Sequence, residues 1–231
     1  MGFRRIITFR TLNQIRHYCS NKGANQGANK GAEPQNPKGS GKKPLVQETF
    51  SREGDNGTSK TIMGALLPKD DHIFHAIGAT EELLSYIGLA REHANQSDHE
   101  YVDKLKRIQT IIIDISTAIS RNKKITIPPV YTKELEDWIA EYSEQLPPPE
   151  KYIIPSGGVA SASLHVARSI CRRTERVVCP LVREQKLDKE ALIYLNRLSD
   201  LLMTLSRMAA KYDQRTESIY IPKPDEKVQE Q

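Results

Sequence analysis

The chain has 231 residues and a formal net charge of +5, but the charge is unevenly placed. Residues 1–43 carry nine Lys/Arg and one acidic residue, whereas the remainder carries 25 basic and 28 acidic residues. A mildly acidic body argues against nucleic-acid binding, which needs a basic face, and no apolar run approaches the roughly 18 residues of a membrane span. The three cysteines lack C-x-x-C spacing, and no His has a Glu three residues before it, so the sequence supports no zinc, disulfide or ferritin-like di-iron site.

The first 32 residues contain basic but no acidic side chains, and Phe3, Ile6, Ile7, Phe9 and Leu12 form an amphipathic pattern among the arginines. This pattern is typical of a mitochondrial targeting segment, which we expect over residues 1–20, with the protein in the mitochondrial matrix. Residues 21–47 are rich in Gly, Asn and Lys and are predicted to be a disordered linker, because such a composition cannot bury enough surface. The alternative is a basic disordered tail that carries no targeting information.

Apolar residues at three- and four-residue steps predict five helices, over residues 71–95, 100–121, 132–145, 158–184 and 188–212. The last is the clearest, since Leu195, Leu198, Leu202, Leu205 and Ala209 form one continuous seam. Only residues 152–154 and 219–221 read as extended. We therefore expect an all-α bundle over residues 48–215, followed by a C-terminal tail over residues 216–231.

Three arginines, Arg168, Arg172 and Arg176, are spaced i, i+4, i+8 in the fourth predicted helix and should share one face. Small apolar residues between them indicate a largely buried helix, so the arginines should need an anionic partner such as a carboxylate or a phosphate. A Pro-Ser-Gly-Gly turn before the helix could present backbone N–H groups to an anion. The alternative is a solvated charged face.

Four segments carry motifs in a fixed order: ATEELLSYIGLA (79–90), LKRIQTIIIDI (105–115), YIIPSGG (152–158) continued by LHVARSICRRTER (164–176), and LNRLSDLL (195–202). Together they resemble the ATP:cob(I)alamin adenosyltransferases of the five-helix-bundle, PduO type, in their mitochondrial form. The resemblance covers residues 54–207. It implies transfer of the 5′-deoxyadenosyl group of ATP to cob(I)alamin, with release of triphosphate, by a homotrimer.

The resemblance also implies roles for individual residues. Glu81 and Arg168 correspond to a pair that joins neighbouring subunits. Tyr152 replaces a Phe that displaces the lower axial ligand of cobalamin, and Arg197 and Asp200 lie near the corrinoid. The positions that correspond to the ATP site are Gly54, Asp55, Gly57, Thr58, Ser59, Lys69, Arg172, Arg173, Glu175, Arg176 and Asn196.

ATP, with Mg²⁺ held mainly by its phosphates, and cobalamin are the expected substrates, with no protein-bound metal. An adenosylcobalamin-dependent mutase and a cobalamin reductase or donor protein are the implied partners, in addition to a second and third copy of the chain.

The main departure from the family pattern is Ser51-Arg52-Glu53, which replaces Thr-Lys-Thr before the N-terminal loop. Glu53 adds a negative charge that Lys60 would offset in part. This departure keeps open the alternative of a non-catalytic cobalamin carrier that has lost ATP turnover. A second alternative is a structural bundle whose arginines only join subunits.

Overall fold

The computed structural model describes residues 52–122, 125–148 and 152–220. The predicted targeting segment, the linker, Ser51, and all of the tail beyond Tyr220 lie outside these residues. Contacts divide the chain into two units, with the boundary between Lys69 and Asp70.

The N-terminal unit contains a hairpin that the sequence pattern did not predict. Strand β1 (Thr58–Lys60) pairs antiparallel with β2 (Leu66–Pro68). The turn between them closes at Gly64, whose φ of 84° favours glycine and whose N–H donates to the Thr61 carbonyl. Strands of three residues are too short to produce a readable alternation of apolar and polar side chains, which explains why they were missed.

The second unit holds the five expected helices, and each end lies within two residues of its predicted position. Asp71 and Asp188 cap the first and last helices by accepting hydrogen bonds from backbone N–H groups two residues on. The helices are α1 (His72–Gln96), α2 (Val102–Arg121), α3 (Val130–Ser143), α4 (Val159–Arg183) and α5 (Lys189–Tyr212).

Helix α4 packs against both α1 and α5, while α2 packs on α1 and α3 packs on α5. The predicted α5 seam is fully buried, as is Leu164 of α4. Each Leu that is completely removed from water contributes about 1.5–3 kcal/mol. Two short strands, β3 (Ile153–Ile154) and β4 (Ser218–Ile219), pair antiparallel beside the bundle. They confirm the two predicted extended segments in part, since residue 221 is outside the described range. No helix within the described ranges is both long enough and apolar enough to cross a membrane.

Candidate functional site

Helix α4 has one buried side and one open side. Leu164, Ala167 and Cys171 are buried on the side that faces α1 and α5. Arg172 and Arg176 are exposed on the other side. The expectation that this helix would be largely buried therefore holds for its apolar side only, because the neighbouring helices leave the arginine side uncovered.

The arginine stripe is open to an external anion. Arg168 is half-buried and Arg172 and Arg176 are exposed, and none of them forms a hydrogen bond or ion pair with another described residue. Helical spacing keeps the three on one side of α4. Guanidinium groups on one side of a helix that form no ion pair suit a ligand with several oxygen anions, since each can donate two parallel hydrogen bonds.

A contact between α4 and α5 borders this stripe. Asn196 Nδ2 donates to Glu175 Oε1 at 2.9 Å. Glu175 lies one residue before Arg176 and three after Arg172, so the structure brings four of the residues assigned to ATP together at the α4–α5 boundary.

Arg173 lies apart from the stripe, although the resemblance also assigns it to ATP. Its guanidinium forms an ion pair with Glu82 on α1. Arg173 and Glu82 line a cavity of about 490 Å³ between α1 and α4, together with His72 and His75. One residue of helical advance turns a side chain by about 100°, which places Arg173 on the α1 side of α4.

Arg197 and Asp200 are paired on the open side of α5. Arg197 Nη1 donates to Asp200 Oδ2 at 2.9 Å, and its Nε donates to Glu136 Oε1 of α3 at 3.2 Å. The two residues that the resemblance places near the corrinoid thus form one cluster with Glu136. Sequence reasoning did not single out Glu136, because no local pattern marks a partner 61 residues away.

Tyr152 stands just before β3 and is 70% exposed. Its backbone carbonyl accepts a hydrogen bond from the Tyr220 N–H at 2.9 Å, and the two rings meet edge to face with centroids 6.2 Å apart. Sequence reasoning missed Tyr220; the only signal was the extended pattern of the segment around it.

The turn that precedes α4 is packed tightly against α5. Gly157 has a φ of 91°, and a Cβ at this position would lie 2.6 Å from the Ala210 side chain. Ser161 Oγ on α4 donates to the Ser156 carbonyl at 2.6 Å. Close packing and backbone conformation therefore require this glycine.

In the N-terminal unit, the loop assigned to phosphate folds back on itself. The Gly57 N–H donates to the Gly54 carbonyl, and the Lys69 N–H donates to the Gly57 carbonyl at 2.8 Å. A Cβ on Gly54 would lie 2.9 Å from Lys69 Nζ, so the lysine ammonium lies next to this glycine. Asp55, Thr58 and Ser59 complete the loop and the start of β1.

Glu53, the departure from the family pattern, is engaged within the same unit. Lys60 Nζ lies 3.2 Å from Glu53 Oε2. This matches the expectation that Lys60 offsets the added charge, although both side chains are exposed and such a pair contributes little to stability.

Glu81 and Arg168 lie on different helices, α1 and α4, and they form no ion pair with each other within the described part of the chain. The Glu81 side chain is exposed, so its carboxylate is accessible to another molecule.

Burial shifts the pKa of two titratable groups on α4, Cys171 and His165. Burial raises the pKa of the Cys171 thiol well above its ordinary value, with nearby Glu175 adding to the shift, so the thiol stays protonated at neutral pH. Burial also lowers the pKa of His165, which the adjacent Arg168 guanidinium lowers further. Within the described residues, no group of three or more His, Cys, Asp or Glu side chains is arranged to hold a metal ion.

Comparisons with known proteins agree on one family. The cobalamin adenosyltransferase family model matches residues 49–209. The corrinoid adenosyltransferase MMAB of Homo sapiens is 40% identical over 194 residues, which is 80% of this chain and 78% of that protein. The corrinoid adenosyltransferase of Citrobacter freundii is 33% identical over 165 residues, or 69% of this chain and 93% of that protein.

A solved structure shares the same architecture. A PduO-type ATP:corrinoid adenosyltransferase variant from Lactobacillus reuteri, complexed with cobalamin and ATP, superposes with a TM-score of 0.70 at 29% identity. The match covers 74% of this chain and 98% of that structure.

Proposed function

The chain belongs to the cobalamin adenosyltransferase family, and on this premise we propose that it transfers the 5′-deoxyadenosyl group of ATP to cob(I)alamin. The reaction forms the cobalt–carbon bond of adenosylcobalamin and releases triphosphate. ATP and cobalamin are both substrates. The observation that carries the proposal is the open pair Arg172 and Arg176 beside the Glu175–Asn196 contact, in a chain that matches the family over most of its length.

Arg172 and Arg176 hold the triphosphate in this proposal. The leaving group carries several negative charges, and two guanidiniums on one helix face can donate to its oxygens while Mg²⁺ neutralises others. The Glu175–Asn196 pair positions the nucleoside end of ATP, because a carboxylate and an amide on adjacent helices offer an acceptor and a donor at a defined separation. Arg173 acts at a distance from ATP, since Glu82 already engages it.

The N-terminal loop, taken by itself, has the features of a phosphate-binding loop. Gly54 and Gly57 allow close approach of the backbone, and Lys69 adds a cation beside Gly54. Lys60 lies beside the extra carboxylate of Glu53 and offsets its charge in part.

Tyr152, Arg197 and Asp200 act on the corrinoid. Reduced cobalt supplies the nucleophile, so the protein has to align the substrates and exclude water from the site. An exposed aromatic ring at Tyr152 can replace the lower nitrogen ligand by an apolar surface, which makes Co(II) easier to reduce. The hydrogen bonds from Arg197 to Asp200 and Glu136 hold the Arg197 guanidinium and the Asp200 carboxylate in one orientation.

The active assembly is a homotrimer in this proposal. Glu81 and Arg168 pair between subunits, which agrees with their exposed or half-buried positions and with the absence of a pair between them within the described residues. A half-buried ion pair at a subunit boundary fixes the relative orientation of the subunits.

The proposed location is the mitochondrial matrix, on the strength of the basic, acid-free N-terminal segment over residues 1–20. Residues 48–215 form the functional region, and the tail over residues 216–231 follows it. In this proposal a reductase or donor protein supplies cobalamin, and an adenosylcobalamin-dependent mutase receives the product. Fluorescence microscopy of full-length and residue 21–231 fusions tests the location: cytosolic full-length protein would contradict it.

Reduction of cobalamin to cob(I)alamin in the presence of the protein, ATP and Mg²⁺ is the decisive experiment. We expect adenosylcobalamin, measured by its absorbance, and triphosphate to form in equal amounts. Binding of cobalamin without triphosphate release would instead indicate a non-catalytic carrier, and an ATP-independent melting temperature would indicate a purely structural bundle.

A further inference from the structure

The C-terminal strand is fixed to the bundle by one buried arginine. Arg207 on α5 is 8% exposed, and its Nε lies 3.3 Å from both carboxylate oxygens of Glu217. Its Nη2 also donates to the Pro147 carbonyl at 3.1 Å. A buried guanidinium requires such partners. Arg207 therefore connects three parts of the chain: α5, the segment after α3, and the start of the C-terminal strand.

From Glu217 the contacts lead directly to Tyr152. The next two residues form β4, which pairs with β3, and the Ser218 N–H donates to Ser156 Oγ at 2.9 Å. Tyr220 then contributes two contacts to Tyr152: the backbone hydrogen bond of 2.9 Å and the edge-to-face ring contact, with an angle of 89° between the ring planes. A pair of two-residue strands is marginal alone, so the Arg207–Glu217 anchor and the Ser218–Ser156 hydrogen bond together hold Tyr220 in place.

We propose that Tyr220 is a positioning residue for Tyr152, held in place by the Arg207–Glu217 ion pair. A tyrosine ring that is 70% exposed can rotate among several rotamers. The edge-to-face contact selects one of them, while most of the Tyr152 ring stays accessible to a ligand. The inference rests on the proposed function, because it assumes that Tyr152 meets the lower face of cobalamin.

The test compares Tyr220→Ala, Tyr220→Phe and Tyr152→Ala by electron paramagnetic resonance of Co(II)alamin with protein and ATP. Tyr220→Ala removes the ring but keeps the backbone N–H. We expect the signal of Co(II) without its lower nitrogen ligand to fall about 2- to 10-fold in Tyr220→Ala, the range that an aromatic pair provides. Tyr220→Phe should match the parent, since it keeps the ring and no described partner binds the hydroxyl.

Two further measurements separate positioning from general damage. The dissociation constant for ATP and the melting temperature of Tyr220→Ala should stay close to those of the parent. Glu217→Gln, which weakens the anchor but removes neither ring, should give a smaller loss of the same signal.

The outcomes distinguish this inference from the function on which it rests. If Tyr152→Ala abolishes the signal but Tyr220→Ala retains it in full, or if Tyr220→Phe fails to restore it, the positioning role is wrong and the role of Tyr152 stands. If the parent shows no such signal, or Tyr152→Ala leaves it unchanged, both ideas fail together.

Discussion

Replacing Arg172 or Arg176 by Ala should weaken the use of ATP without weakening the fold. Both side chains are exposed and neither has a partner among the described residues, so truncation leaves neither a cavity nor an unpaired buried charge. The loss of one preorganised donor to a charged leaving group removes about 2–4 kcal/mol of transition-state stabilisation. At 1.36 kcal/mol for each factor of ten, kcat/KM for ATP should fall about 30- to 900-fold.

The assay measures initial rates of adenosylcobalamin formation over a range of ATP concentrations, together with the melting temperature. Arg173→Ala is the matched control, because Arg173 lies on the same helix but pairs with Glu82; its kcat/KM should change less than about 3-fold, as expected for loss of an exposed ion pair. Arg172→Lys should recover little of the lost kcat/KM, since lysine lacks the planar, two-pronged donor of a guanidinium. Equal losses in Arg172→Ala and Arg173→Ala, or parent kinetics in Arg172→Ala and Arg176→Ala, would refute the reasoning.

Three further predictions concern the fold and assembly. Gly157→Ala should lower the unfolding free energy in urea by about 2–5 kcal/mol, through backbone strain and overlap with α5. Gly78→Ala is the control: it lies within α1 and its added Cβ meets no atom within 4 Å, so it should raise the unfolding free energy by about 0.5–1 kcal/mol. Equal stabilities of the two variants would contradict the packing argument. Burial and Arg168 lower the pKa of His165 below its ordinary value of 6.5, so the contribution of His165 to the unfolding free energy is largest above pH 6.5 and falls as the pH falls, because the unfolded chain takes up a proton that the folded state excludes. His165→Gln should therefore flatten the decline of the unfolding free energy between pH 7 and 5, and an unchanged slope would count against this assignment. Reversing the charge of Glu81 or Arg168 singly should dissociate the assembly in light scattering and reversing both should restore it; trimeric single variants would exclude the proposed subunit pair.

Local patterns were sufficient for the helices. The spacing of Leu195, Leu198, Leu202 and Leu205 depends only on helical geometry, so their shared buried side could be predicted and is confirmed. The β1–β2 hairpin could not be predicted in the same way, since three-residue strands contain too few side chains to show a period.

The burial of α4 shows where such patterns stop. Helical spacing places Arg168, Arg172 and Arg176 on one side of the helix, and this is confirmed as a geometric fact. Whether that side would be covered depends on the positions of α1 and α5, which no residue within α4 encodes. The structure leaves it uncovered, which is why the arginines are available for a ligand.

By itself, then, the sequence determined the five helices, their order and the family, because periodicity and motif spacing are properties of short contiguous segments. Only the tertiary structure decided which side chains become partners: Arg173 with Glu82, Arg207 with Glu217, and Tyr152 with Tyr220. Tyr152 and Tyr220 are 68 residues apart in the sequence. Their contact exists because α5 returns the chain to the end of the bundle at which α4 begins. The packing of α5 against α4, and not local propensity, therefore brings the two rings together.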